Sequence, residues 1–224
     1  TGIIQSALKQ SSTPGLKLHL NLGDEDAIDT LFSLLKMIYW AGKEAGEGSV
    51  SVNQILLEMK NLNLTDVDII QDYIQKLNTF DIIKNMSEKT FVLKDPPSLH
   101  LLIEFMQDMI LTKITDPWEF YLAQSHISQL LHSLVTDNNE IKLNLESFIK
   151  ITSSSFHSEI NTTRKILKLW AGKNFIKIDK EEQDVFLITP FGLRDLQILL
   201  NEYKYCRNKV LNLLLLSIPV FTPE

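Results

Sequence analysis

The chain is poor in cysteine: Cys206 is the single example among 224 residues. One cysteine cannot close an intrachain disulfide, and it cannot supply a multi-cysteine zinc site. This scarcity fits a reducing compartment, so we expect a cytoplasmic or nuclear location. Because no histidine lies near it in the sequence, Cys206 is more typical of a buried, inert thiol than of a catalytic nucleophile.

Long apolar runs and an excess of basic charge are also missing. The most apolar stretch, residues 210–221, is shorter than the roughly 20 residues that a bilayer-spanning helix needs, and Pro219 interrupts it. We therefore expect no membrane partner. The formal net charge is −6, which excludes a general attraction to nucleic acid or to anionic lipid.

Motifs for metals, cofactors and catalysis are absent as well. The five histidines are scattered, and His126 and His132 do not have the spacing of a metal-binding pair on a helix. The glycine-rich stretch 42–48 lacks the Lys-Ser/Thr ending of a phosphate-binding loop. We expect no cofactor, no metal, no small-molecule substrate and no enzymatic activity.

What the chain does contain is a long internal repeat. Residues 74–96 and 166–190 both place Ile and Leu three positions apart, followed by a short apolar run, a polar turn and a second apolar run that ends in proline. The copies are offset by 92 to 94 residues, which predicts a duplicated domain and not a short-period solenoid. Half of the chain is also close to the common size of an independent domain.

Apolar periodicity gives both copies the same order of three helices, a two-stranded hairpin and a further helix. The hairpin strands are predicted at 81–85 and 90–94 in the first copy, and at 174–178 and 184–188 in the second. In the second copy, a short helix over 143–151 precedes the third helix. Proline after each hairpin stops the last strand, because proline cannot donate to a strand ladder.

These elements divide the chain into four predicted segments. They are an N-terminal arm at 1–22 with a strand at 16–22, domains at 23–113 and 114–205, and an apolar C-terminal helix or tail at 206–224. The sequence begins with Thr1 and not methionine, which we interpret as an expression remnant or the edge of an excised fragment.

The order of elements over about 28–113 and 118–205 resembles the winged-helix family, a variant of the helix-turn-helix fold. In size and layout the chain is similar to MukE-like condensin subunits, to ESCRT-II subunits and to RNA polymerase accessory subunits. The resemblance implies a mainly α fold with small β-hairpins (α+β), built as two tandem winged-helix domains with an extra C-terminal helix. A generic α+β domain and a helical bundle with two hairpins are the alternatives.

The third helix of a winged-helix domain commonly enters the DNA major groove. In the first copy this helix is acidic, with Asp66, Asp68 and Asp72 against the single Lys76, so phosphates would repel it. A solvated face and a protein-docking face are the two interpretations. The apolar tail supplies further docking candidates, Leu213, Leu214 and Leu216, although packing within the chain or a homodimer seam would bury them equally well.

In the second copy, the helix at about 158–171 is more basic. The candidates for nucleic-acid contact are residues of types that bind phosphates or base edges: Ser155, His157, Asn161, Thr162, Thr163, Arg164, Lys165 and Lys168. A lysine late in the helix also complements the helix dipole, which is the alternative interpretation of Lys168. The hairpin turn at 179–184 is mostly acidic and would contact phosphate poorly.

Three tryptophans, Trp40, Trp118 and Trp170, lie near predicted helix ends. Core packing is the default interpretation of all three. An anchor for a protein partner is the alternative, since exposed tryptophan is enriched at the energetic centres of interfaces.

These observations predict a non-enzymatic assembly or adaptor module that binds a protein partner or a second copy of itself. Such a module would fit a complex that works on DNA. The alternative is a DNA-binding transcription or replication regulator that uses the basic helix of the second copy.

Overall fold

The structure, a computed structural model, describes residues 25–62, 67–135, 141–156, 160–179 and 185–215. Over these ranges the chain is mainly helical, with two small antiparallel sheets of three strands each. The expected mainly α class with small β elements is therefore confirmed. Contacts divide the chain into two compact units: the first takes in described residues up to Met106 and from Lys209 onward, and the second is Gln107–Asn208.

The first unit carries one copy of the element order. Its described elements are α1 (Glu25–Ala45), β1 (Val50–Ser51), α2 (Val52–Asn61), α3 (Val67–Thr79), β2 (Ile83–Ser87), β3 (Thr90–Leu93) and the first part of α4 (Pro96–Thr112).

The second unit repeats that order. Its described elements are α5 (Pro117–Leu134), β4 (Ile141–Asn144), α6 (Leu145–Phe156), α7 (Ile160–Gly172), β5 (Ile176–Ile178), β6 (Val185–Ile188) and most of α8 (Pro190–Leu214). Residues 206–214, predicted as part of a separate tail, continue α8, whose last turns belong to the first unit. The predicted strand at 16–22 lies outside the described residues, and the predicted domain borders stay predictions.

Each sheet has a third strand that the sequence did not predict. The orders are β1-β3-β2 and β4-β6-β5, so the last strand of each hairpin lies in the centre. Strand β1 has only two residues, too few to show alternation. The predicted helix over 143–151 is wrong at its start, because Leu143 and Asn144 pair with Phe186 and Val185 and α6 begins at Leu145.

The repeat extends to the backbone hydrogen bonds where the third helix of each unit ends. Asp81 and Asn174 both have positive φ, 61° and 62°. In the first unit Ile82 N donates to Leu77 O, and in the second Phe175 N donates to Trp170 O. Both are Schellman motifs, in which a left-handed residue turns the chain and satisfies the last helical carbonyls. Asp and Asn tolerate that conformation better than most side chains.

The helix that follows each hairpin starts in the same way in both units. Ser98 N donates to the Asp95 carboxylate (3.0 Å), and Gly192 N donates to the Thr189 hydroxyl (3.0 Å). A proline follows each capping residue, where its missing N–H costs nothing. Hydrogen bonds from the side chain and the backbone amide of Ser98, with Lys209 nearby, hold the pKa of Asp95 below its ordinary value.

Gly192, in the first turn of α8, lies against the backbone of the loop before β5. A Cβ added there would lie 2.1 Å from the carbonyl oxygen of Phe175, whereas a Cβ at Gly172 would meet nothing within 4 Å. Backbone atoms cannot swing aside as the end of a flexible side chain can. The contact between α8 and this loop therefore requires glycine.

We expect Gly192→Ala to lower the free energy of unfolding by about 1–3 kcal/mol, because the added methyl group forces the helix start away from Phe175. Urea unfolding followed by circular dichroism measures the change. Gly172→Ala is the matched control and should be neutral or slightly stabilising, since alanine favours helix. Equal stability of the two variants would contradict the close approach of α8 to Phe175.

Candidate functional site

Lys76, the single lysine of the acidic helix α3 in the first unit, contacts other groups of the protein. Lys76 Nζ lies 2.6 Å from the Asp72 carboxylate and 3.5 Å from the carbonyl oxygen of Leu213, and it also donates to the carbonyl oxygen of Leu215. Asp68 is exposed, and Asp66 lies outside the described residues. The exposed face of α3 therefore carries carboxylate, and its only basic side chain is already paired. Such a face repels phosphate.

The apolar end of α8 is packed within the chain. Leu213 and Leu214 are fully buried, so neither is available to a partner, and the expectation that they form a docking surface is wrong. Their burial agrees with the other interpretation of the tail, in which the leucines pack within the chain. A helix that is apolar on most sides has to be buried. Leu216 lies outside the described residues.

Two of the predicted nucleic-acid contacts on α7 are also buried. Thr162 is 8% exposed and Thr163 is 0% exposed. Thr163 lies in the same helical stripe as Ile166 and Trp170, which faces the protein interior. The prediction that both threonines contact nucleic acid is contradicted by their burial. The side chain of Ser155 and all of His157 fall outside the description.

The basic residues of α7 divide into one paired and two unpaired. Arg164 Nη2 lies 2.6 Å from the Glu146 carboxylate on α6. Lys165 is half-buried and Lys168 exposed, and neither forms an ion pair with any residue that the structure describes. Of the predicted nucleic-acid face, Asn161, Lys165, Lys168 and the partly exposed Arg164 are thus accessible among the described side chains.

A buried carboxylate organises the interior of the second unit. Asp108 is 2% exposed, accepts a hydrogen bond from the Tyr203 hydroxyl (2.6 Å) and pairs with Lys173 Nζ (3.0 Å). A buried charge needs such partners because desolvation otherwise destabilises it strongly. Lys173 is thus a structural cation and not a contact for a ligand.

Arg207 of α8 is a buried cation of this unit. Its guanidinium lies 4.0 Å from the ring centroid of Trp118 and 4.5 Å from that of Tyr121, and its Nε donates to Asn208 (3.1 Å). Burial lowers the pKa of Arg207, partly offset by Tyr121. The side chain occupies a cage of aromatic rings, so Trp118 acts in packing as expected.

A groove lies between α1 and α2 of the first unit. It has a volume of about 410 Å³. Its apolar part includes Trp40, which is 60% exposed, and Leu62, which is 51% exposed. We define the Trp40 groove by its lining residues: Ser33, Lys36, Met37, Trp40, Ala41, Glu44, Gln54, Glu58 and Leu62.

Carboxylates from both helices border the Trp40 groove. Glu44 lies one helical turn after Trp40 on α1, and Glu58 lies across the groove on α2, where it accepts a hydrogen bond from Gln54 (3.2 Å). Within the described part of the chain neither forms an ion pair. The groove therefore offers an aromatic ring and two carboxylates, with Lys36 as the one cation of its lining.

Sequence reasoning missed Trp40 by grouping it with the core tryptophans, of which Trp170 is indeed buried. The spacing of the apolar residues in α1 could have identified Trp40 as exposed. The buried positions of α1, Leu31, Leu34, Leu35 and Ile38, define one side of the helix. At about 100° per residue, Trp40 lies on roughly the opposite side. An aromatic residue opposite a complete apolar stripe has no place in the core.

Other kinds of site find no support in the part of the chain that the structure describes. No group of three or more His, Cys, Asp or Glu side chains could hold a metal ion there. None of the described helices is long and apolar enough to cross a bilayer. Cys206 is buried.

No protein family, curated protein or solved structure matches the chain.

We expect Lys173→Met to lower the free energy of unfolding by about 3 kcal/mol, because it removes the ammonium group that pairs with the buried Asp108 carboxylate. Thermal and urea unfolding measure the loss. Lys168→Met, an exposed change of the same charge, is the control and should stay within about 0.5 kcal/mol of the parent chain. Comparable losses in both variants would contradict the structural role of Lys173.

Proposed function

We propose that this chain is a non-enzymatic assembly or adaptor module of two tandem winged-helix units, and that it binds a partner protein through the Trp40 groove. The order helix, strand, helix, helix, strand, strand in each unit supports the winged-helix interpretation. So does the central position of the last strand in each sheet. Fold alone does not identify a function, so the choice depends on the surfaces.

The charges of the first unit favour a protein over a nucleic acid. The chain carries a net charge of −6, and Lys76, the only base on α3, is held by Asp72 and by the end of α8. Phosphate contacts supply much of the affinity of DNA-binding proteins. The first unit has no basic third helix that could make such contacts.

The observation that carries the proposal is the exposed Trp40 in the lining of the groove. Large apolar side chains that are exposed in a concavity with a polar rim mark interaction sites. Tryptophan is among the residues most enriched where binding energy concentrates, and Leu62 extends the apolar surface. The groove of α1 and α2 thus has the features of a protein-docking site.

A capture experiment tests this function. The parent chain, immobilised and exposed to extract of its source cells, should retain at least one protein that Trp40→Ala loses by tenfold or more, since truncating an interface anchor costs upward of about 1–2 kcal/mol. Phe191→Ala is the matched control, because Phe191 is 75% exposed in the second unit. Light scattering on the parent chain and on Trp40→Ala distinguishes a partner from self-association. Equal capture by the parent chain and Trp40→Ala would contradict the proposal.

A DNA-binding regulator is the second candidate, favoured by Asn161, Lys165 and Lys168 on α7. Binding through two lysines should be weak and fall steeply with salt. Fluorescence anisotropy of a labelled duplex measures this. On this candidate, Lys165→Glu with Lys168→Glu abolishes binding, and Lys84→Glu with Lys89→Glu, the same charge change in the first unit, retains it. No binding of the parent chain at low salt removes the candidate.

A further inference from the structure

We infer that the Trp40 groove recognises an arginine presented by a segment of the partner protein. The guanidinium stacks on the Trp40 ring, and Glu44 and Glu58 supply the opposite charge from the two walls. The inference rests on the proposed function and adds the chemistry of the partner.

Helix α1 already uses aromatic rings to hold cations. Lys36 Nζ lies 5.1 Å from the ring centroid of Phe32, and Lys43 Nζ lies 5.2 Å from that of Tyr39. No cation of the described residues lies over the Trp40 ring, although tryptophan is the strongest cation–π acceptor. Trp40, the strongest cation–π acceptor of α1, is therefore available to a cation of a ligand.

The charge around this ring is complementary to a cation. Residues 25–62 contain six carboxylates and three lysines. Two of those lysines are the ones over Phe32 and Tyr39, whereas Glu44 and Glu58 form no ion pair within the described chain. The groove lining holds Glu44 and Glu58 against the single Lys36, so a cation over Trp40 meets a net negative charge and a phosphate would meet repulsion.

The shape of the groove selects arginine on a polypeptide over other cations. Its volume of about 410 Å³ is at the small end of ligand-binding cavities and suits one or two side chains. Arginine stacks its plane on an aromatic ring and pairs its N–H groups with carboxylates, which the ammonium of lysine does less well. Met37, Ala41 and Leu62 offer apolar contacts to a neighbouring residue of the same segment.

Two short peptides test the charge directly: acetyl-Leu-Arg-Leu-amide, and the same peptide with neutral citrulline in place of arginine. The readout is the Trp40 indole N–H signal in nitrogen-15 NMR spectra, assigned among the three tryptophans by Trp40→Phe. We expect the arginine peptide to shift this signal and to bind at least tenfold more tightly than the citrulline peptide. Tenfold corresponds to about 1.4 kcal/mol.

A pair of charge variants locates the carboxylates responsible. Glu44→Gln with Glu58→Gln should weaken the arginine peptide about tenfold. Glu25→Gln with Asp29→Asn is the matched control, since it removes the same charge from exposed positions of α1 outside the groove. It should change the affinity by no more than about twofold, because salt screens exposed charges that lie outside the groove.

Three results would overturn the inference: no shift of Trp40 at millimolar arginine peptide, equal binding of the citrulline peptide, or equal effects of the two charge variants. Failure here leaves the adaptor function standing if capture of a protein from extract still depends on Trp40. Loss of that dependence overturns the adaptor function itself, whatever the peptides do.

Discussion

The contact between Lys76 and the last turn of α8 is the interaction on which the electrostatics of the first unit depends. The final carbonyls of a helix have no partner within the helix, and they form the negative end of its dipole. Lys76 donates to the carbonyl oxygens of Leu213 and Leu215 and forms an ion pair with Asp72. The burial of Leu213 and Leu214 accompanies this contact and holds the end of α8 in the first unit.

That contact has a consequence for function. Because Lys76 is committed, α3 presents carboxylate and amide groups and no available base, which disfavours phosphate as a ligand. The second unit repeats the pattern with different residues. There Lys173 pairs with the buried Asp108, and Arg164 pairs with Glu146 at the surface. Lys76 and Lys173 thus pair with carboxylates of their own units, and the proposed docking site is the Trp40 groove.

The sequence predicted the features that are determined by residues close together in the chain and that recur in both copies. Both hairpins and the helices that follow them derive from apolar runs bounded by residues with fixed backbone preferences, as at Pro96 and Pro190. The equivalence of Asp81 and Asn174 shows how closely two diverged copies can retain one turn. These features are encoded within a few residues, so a single sequence reveals them.

What the sequence did not predict depends on contacts between distant residues. Strand β1 exists because Val50 pairs with Phe91, and two residues carry no periodicity of their own. Thr163 looks like a polar contact until the stripe formed with Ile166 and Trp170 places it inside. Trp40 was grouped with the core because aromatic residues are usually buried, although its angular position on α1 pointed the other way.

Amide hydrogen exchange tests the central claim, that the first unit docks a protein through α1 and α2, most directly. Exchange is compared for the chain alone and for the chain bound to the protein that depends on Trp40. The account predicts slower exchange within 33–44 and 54–62 and unchanged exchange within 160–172. Protection confined to 160–172 would contradict it, because the partner would then dock on the second unit.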